Sequence, residues 1–94
     1  MKVPHNIIAD IEVELDVAEK LHPNYPNDPL RRVAIVGEEA GESLRAALDL
    51  TRGYHCPSES ARIRRHLQME LTQTAAMAIR ALIAFGDDGR PQRD

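Results

Sequence analysis

The stretch PLRRVAIVGEEAGESLRAALD, residues 29–49, decides the fold because it joins a helix start to a long helical pattern. Asp28 precedes it as a predicted N-cap, and Pro29 takes the first helical position, where a backbone N–H is not needed. Apolar residues recur along the stretch at helical spacing, so we expect a helix from residue 29 to about residue 49. The predicted core-facing stripe consists of Val33, Val36, Ala40, Leu44, Ala47 and Leu48.

The segment before this helix predicts another helix and a stiff connection. Apolar residues at helical spacing indicate a first helix over residues 6–21, with acidic residues mainly on its opposite, solvated face. Residues 22–29 contain three prolines in eight positions and cannot continue that helix. A rigid connector and a substrate contact both remain possible roles for Tyr25 and Asn27 in this loop.

A third helix is predicted from residue 58 to about residue 85, after a loop at residues 51–57. Ser58 is its predicted N-cap, and Gly86 is its predicted C-terminal stop. The chain shows no strand-like alternation. We therefore predict an all-α protein: an antiparallel helical bundle of three main helices forming one domain over residues 1–86, with a flexible tail over residues 87–94.

The end of the third helix suggests self-association. From residue 75 to residue 85 every side chain is apolar except that of Arg80. A helix that is apolar on all sides is usually buried on all sides, which three helices of this size do not easily achieve. We expect a homo-oligomer, a homodimer or a homotetramer, in which this helix packs against its symmetry mate.

Composition excludes several classes of function. The formal net charge is −3 and only three residues are aromatic, so neither a basic nucleic-acid surface nor a base-stacking platform is expected. Cys56 is the lone cysteine, which fits a reducing cytoplasm. Charges early in the chain argue against a signal peptide, and no run of about 18 apolar residues suggests a membrane span. We expect a cytoplasmic protein that binds neither membranes nor nucleic-acid polymers.

Three carboxylates crowd into about one turn of the second helix. Glu38, Glu39 and Glu42 repel one another at this spacing, and on the helical wheel they lie opposite the predicted core stripe. The simplest interpretation is a solvated acidic face, with Arg45 neutralising Glu42. The alternative is half of a site for an oxygen-liganded divalent cation.

Glu70 on the third helix favours the cation site. It lies about 60° from the centre of that helix's predicted core stripe, so we expect its carboxylate to be partly withdrawn from water. A buried carboxylate needs a cation, hydrogen bonds or a raised pKa. His66 is four residues earlier, where it either ligates an ion or contacts its helix neighbour. Arg80 further along suits a phosphate, with a salt bridge as the alternative. The cluster Arg62, Arg64 and Arg65 either attracts phosphates or balances nearby acids.

Residues 20–85 resemble the MazG-like group of the all-α NTP pyrophosphohydrolase superfamily. The resemblance rests on a proline-rich loop, on Glu38-Glu39-Ala40-Gly41-Glu42 in the next helix, and on Glu70-Leu71-Thr72-Gln73 before an Ala-rich helix. The family pattern is Glu-Glu-x-x-Glu followed by Glu-x-x-Asp, and this chain departs from it at Gln73, where the family has aspartate. An amide oxygen still coordinates Mg²⁺ but carries less charge.

The resemblance implies Mg²⁺-dependent hydrolysis of a nucleoside triphosphate to the monophosphate and pyrophosphate, with Mn²⁺ as a substitute cation. It assigns Glu39, Glu42, Glu70 and Gln73 as metal ligands. Glu38, beside these ligands, is the candidate to orient or deprotonate the attacking water. Arg80, and after it Arg64 or Arg65, would neutralise phosphate charge.

Two other interpretations compete with the enzyme. One is a non-catalytic helical module that keeps the fold and binds a nucleotide or a protein partner, which Gln73 favours. The other is a structural oligomerisation protein whose acidic face is only solvated. Dependence of turnover or stability on Mg²⁺ or Mn²⁺ separates these alternatives.

Overall fold

A computed structural model describes residues 1–53 and 55–87 of the chain. These residues form three α-helices, α1 (His5–Leu21), α2 (Pro29–Thr51) and α3 (Pro57–Asp87), and no strand occurs in the two described ranges. The prediction of an all-α protein with three helices is therefore confirmed. Asp87 still belongs to α3, and the rest of the predicted tail, residues 88–94, lies outside the described residues. None of the helices in the described ranges has the length and apolar character needed to cross a membrane.

Helix α2 starts where the sequence predicts. The Asp28 carboxylate accepts a hydrogen bond of 2.9 Å from the backbone N–H of Leu30, and Pro29 follows as the first helical residue. This cap satisfies one of the N–H groups that the first helical turn leaves without an intrahelical partner. The helix ends at Thr51, two residues beyond the predicted end.

Helix α3 is longer than predicted at both ends. It begins at Pro57, and the Cys56 carbonyl accepts its first-turn bond from Ser60 at 2.9 Å, so the prediction of Ser58 as N-cap is wrong. Proline is well suited to the first helical position, which explains the earlier start. At the other end the helix continues through Gly86 to Asp87, so Gly86 is not the stop that we predicted.

Helix α3 is the central element of the structure. It packs against both α1 and α2, whereas α1 and α2 make no direct backbone approach to each other within the described ranges. Helices α2 and α3 run antiparallel: Ser43 faces Thr74, whereas the earlier part of α2, at Val36, lines one groove with the later part of α3, at Ala81. The fully buried positions are small, with Ala46 and Ala76 almost completely covered.

The face of α2 that packs on α3 is not the predicted one. Val33 and Leu44, which we expected in the core, remain 61% and 62% exposed. Ser43 and Ala46 are buried instead, and Glu39 lies on the same side of the helix, half-buried. Apolar periodicity marks a face that becomes covered, but it does not say which partner covers it.

Two arginines hold the loop between α1 and α2 around one aromatic ring. The guanidinium groups of Arg80 and Arg32 lie 4.1 and 5.8 Å from the centre of the Tyr25 ring. Arg80 also donates to the His22 carbonyl at 2.9 Å, and Arg32 donates to the Pro26 carbonyl at 2.7 Å. Tyr25 therefore acts as a structural anchor of a rigid connector.

Candidate metal centre

Three carboxylates from two helices meet at the centre of the α2–α3 interface. Glu39, Glu42 and Glu70 each place one oxygen so that the three atoms lie within 4.8 Å of one another. The i,i+3 spacing in α2 brings the first two to neighbouring positions, and the antiparallel packing brings the third from α3. The sequence predicted these three residues as one set, and the structure brings them together.

The innermost carboxylate of the cluster is Glu70. Its residue is only 6% exposed, which confirms the prediction that this side chain is withdrawn from water. Oε2 of Glu70 and Oε2 of Glu39 are both buried without a hydrogen-bond partner. A buried polar atom left unpaired costs about 1–3 kcal/mol, and more when it is charged. An electropositive partner for these oxygens would offset that cost.

The surroundings of Glu70 oppose its ionisation. Burial raises its pKa above the ordinary value of 4.5, and a hydrogen bond with the Glu42 carboxyl group raises it further. The negative charges of Glu42 and Glu39 act in the same direction. His66 acts in the opposite direction, because its Nε2 lies 3.6 Å from Oε1 of Glu70. The histidine thus contacts its helix neighbour, one of its two predicted roles.

Glu39 also has a raised pKa, and its causes reveal a residue that the sequence interpretation missed. Burial is the largest cause, followed by the charges of Glu42, Glu38 and Glu14. Glu14 belongs to α1 and is half-buried, although we had placed it on the solvated face of that helix. The predicted face was judged from apolar residues alone, and nothing in the sequence indicated which side of α1 meets the cluster.

Two hydroxyl groups fix the register of α2 against α3 one turn from the carboxylates. Ser43 Oγ and Thr74 Oγ1 lie 3.1 Å apart. Each is also within hydrogen-bonding distance of the carbonyl four residues earlier, that of Glu39 for the serine (3.2 Å) and that of Glu70 for the threonine (2.8 Å). Because these carbonyls belong to cluster residues, the bridge sets the separation of the two helices where the carboxylates meet.

Four further predicted site residues lie outside the cluster of three glutamates, two of them close to it and two farther away. Gln73 is half-buried on α3, about one turn beyond Glu70, and Glu38 is exposed beside Glu39. Arg65 is exposed near the start of α3. Arg80 lies ten residues beyond Glu70, about 15 Å along the helix, where it holds the α1–α2 loop.

Comparisons of this chain with protein-family models, with curated proteins and with solved structures found no match. The chemistry of the centre is therefore judged from its own geometry. Carboxylate oxygens are the ligands that hard cations such as Mg²⁺ and Ca²⁺ prefer, and the cluster offers no soft sulfur or imidazole nitrogen among its three donors. The unpaired buried oxygens fit such a cation, which would replace mutual repulsion by shared coordination.

Proposed function

We propose that this protein is a Mg²⁺-dependent nucleoside triphosphate pyrophosphohydrolase of the MazG-like type, which releases the monophosphate and pyrophosphate. The observation that supports the proposal is the cluster of Glu39, Glu42 and Glu70, which runs from the exposed Glu42 to the buried Glu70 and contains two buried carboxylate oxygens without hydrogen-bond partners. The same three residues are those that the family resemblance assigns to the metal.

In this proposal Glu39, Glu42 and Glu70 hold the cation, and Gln73 contributes its amide oxygen. A bound Mg²⁺ supplies neutralisation of phosphate charge and a lowered pKa for a nearby water. Mn²⁺ has similar oxygen preferences and substitutes for Mg²⁺. The chain's own task is to keep three carboxylates close together despite their repulsion, which the Ser43–Thr74 bridge supports.

The proton in the reaction needs an acceptor, and Glu38 is the proposed base. Water attacks a phosphorus atom, the bond from that phosphorus to the leaving pyrophosphate oxygen breaks, and the proton of the water passes to the Glu38 carboxylate. Glu38 suits this role because it is exposed beside the cluster, where a substrate and a water reach it.

Arg80 and Arg65 are proposed to contribute positive charge toward the phosphates. Arg65 is exposed, so it is open to a ligand. Arg80 is committed to the His22 carbonyl and the Tyr25 ring, so a role in phosphate binding requires it to exchange these contacts.

Pyrophosphate release from a panel of ordinary and modified nucleotides, with and without Mg²⁺, tests the proposal. We expect Glu39→Gln and Glu42→Gln to lower the rate at least about 100-fold. Mutation of residues that only hydrogen-bond to metal ligands already lowers metal affinity or activity by about 10–100-fold. Glu19→Gln removes an exposed carboxylate on α1 and serves as the matched control. Turnover that survives both cluster substitutions would contradict the site assignment.

Because Arg80 already contacts the His22 carbonyl and the Tyr25 ring, it favours a second candidate function. This candidate is a non-catalytic helical module that binds a nucleotide or a protein partner. The substitution Arg80→Met separates the two possible roles of this arginine. A structural role predicts a loss of roughly 1 kcal/mol of stability with unchanged nucleotide affinity. A phosphate ligand predicts weaker nucleotide binding, and binding by the wild type without turnover would favour the module.

We further propose that the chain forms a homodimer or a homotetramer. The support is a row of apolar or small residues that one chain leaves uncovered along α2, here named the outer stripe. Its members are Leu30, Val33, Gly37, Leu44 and Leu48. The end of α3 adds exposed apolar surface at Leu82, Ile83 and Phe85. Exposed apolar surface on this scale marks an interaction site.

A further inference from the structure

A polar groove lies at the end of the α2–α3 pair where the two helices are joined. It encloses about 350 Å³ between the end of α2 and the first three turns of α3. Its lining residues are Asp49, Arg52, His55, Glu59, Arg62, Ile63 and His66. The predicted phosphate ligands Arg65 and Arg80 do not line it.

Two guanidinium groups in this groove are available to a ligand. Within the described ranges, no ion pair or hydrogen bond engages the side chain of Arg52 or that of Arg62, and both residues are exposed. An unengaged guanidinium presents five N–H donors in a fork that matches phosphate oxygens. Arg52 directly follows the last residue of α2 and Arg62 belongs to α3, so one anion in the groove can bind both side chains.

The groove also contains two acidic side chains, those of Asp49 and Glu59. The Glu59 carboxylate contacts His55 Nδ1 at 3.5 Å and accepts from Cys56 Sγ at 3.5 Å. His55 is itself fixed by a 2.6 Å contact between its Nε2 and the Asp49 carbonyl. Glu59 keeps its negative charge in these contacts, so the groove contains two carboxylates beside its two guanidinium groups, and the Glu59 carboxylate is turned toward His55 and Cys56.

The groove is continuous with the carboxylate cluster through a single side chain. His66 lines the groove and also lies 3.6 Å from Oε1 of Glu70. Arg62, His66 and Glu70 are spaced by four residues along α3, so they share one helix face in successive turns. A ligand held by cations at the cluster extends along this face past His66 and reaches the arginines.

We propose that this groove binds the terminal phosphates of the substrate, with Arg52 and Arg62 as their ligands and His66 between them and the cluster. The inference rests on the proposed function, which supplies a triphosphate as the substrate. It assigns the two ends of that substrate: the cleaved bond lies at the carboxylates, and the pyrophosphate that leaves lies in the groove. The nucleoside then points to the opposite side of the cluster.

Calorimetric titration of inorganic tripolyphosphate in Mg²⁺ into the full chain tests this groove without needing a nucleotide. We expect Arg52→Gln and Arg62→Gln each to weaken binding roughly tenfold, the effect of one charge-assisted hydrogen bond. Arg31→Gln is the matched control, because Arg31 is an exposed arginine at the far end of α2 that does not line the groove, and it should change affinity less than about twofold. Circular dichroism melting verifies that each variant is folded.

The outcomes distinguish the groove from the proposed function. Equal affinities for the Arg62→Gln, Arg52→Gln and Arg31→Gln proteins would overturn the groove, even when the wild type hydrolyses nucleotides. Selective weakening in the two groove variants would support it. Selective weakening in a protein that releases no pyrophosphate from any nucleotide would overturn the proposed function while supporting the groove.

Discussion

Helix α2 packs polar residues against α3 and exposes apolar residues, which is the reverse of an ordinary amphipathic helix. The face against α3 carries Glu39 and the buried polar residues Arg32 and Ser43. The outer stripe carries leucine and valine side chains, of which Leu30 is 76% exposed. Charge lies inside and apolar surface lies outside.

Both faces are costly for an isolated chain. A buried carboxylate without a counterion loses hydration, and exposed apolar surface forgoes about 25 cal/mol for each Å² that burial would remove from water. Each cost would fall if a partner covered the face. We infer a cation for the inner face and a second copy for the outer face.

The largest expected effect comes from placing a charge in the outer stripe. Leu44→Glu should abolish the oligomer, raising its dissociation constant at least about 100-fold, because two copies would bury unpaired carboxylates. The monomer should remain helical, since Leu44 is exposed in the single chain. Sedimentation analysis with circular dichroism measures both properties.

Ala61→Glu is the control for this substitution, since Ala61 is an exposed position on α3 outside the outer stripe. It should leave the association state unchanged. A wild-type protein that is monomeric at high concentration would contradict the proposed use of the outer stripe.

The inner face is tested by the combined effect of pH and Mg²⁺ on stability. Because the pKa of Glu70 is raised in the folded chain, its protonated form stabilises the fold below about 4.5, and this stability is lost as pH rises through the raised pKa. In the presence of a chelator, the Tm of the wild type should therefore fall progressively below the Tm of Glu70→Gln as pH rises above 4.5.

Mg²⁺ at a hundredfold excess over its dissociation constant should reverse that difference. It adds about 2.7 kcal/mol to the folded state, which corresponds to roughly 10–20 °C in Tm for a domain of this size. A wild type whose Tm does not respond to Mg²⁺ or Mn²⁺ would favour a purely structural role for the acidic face.

The smallest expected effect concerns Gly37 within the outer stripe. A Cβ added there meets no atom within 4 Å in the single chain. Alanine should therefore stabilise the monomer by about 0.5–1 kcal/mol, because glycine is unfavourable inside a helix. If a second copy packs closely at this position, Gly37→Ala should instead weaken the dimer. Denaturation of dilute and concentrated samples separates the two effects.

The sequence predicted the local structure of this chain well. Proline-rich punctuation and the Asp28 cap located the helices to within a few residues, because these signals act through the nearest backbone groups. The start of α3 was misplaced by one residue, since Pro57 and Ser58 both suit a helix start.

Three of the predicted metal ligands, Glu39, Glu42 and Glu70, lie together in the structure, but the predicted setting of Glu39 is wrong. Glu70 was expected to be buried, and it is. Glu39 was placed on an outer face because the apolar stripe of α2 was assigned to the wrong partner, and Glu14 was missed for the same kind of reason. Periodicity marks an apolar face, whereas only the packing of the helices shows whether α3 covers it.

Titration of Mn²⁺ into the metal-free wild type and into Glu70→Gln, followed by calorimetry, tests the central claim most directly. The cluster of Glu39, Glu42 and Glu70 predicts saturable binding to the wild type that weakens at least about 100-fold in the variant. Glu19→Gln should bind as the wild type does. Equal binding by the wild type and Glu70→Gln would contradict the assignment of this cluster as a cation site.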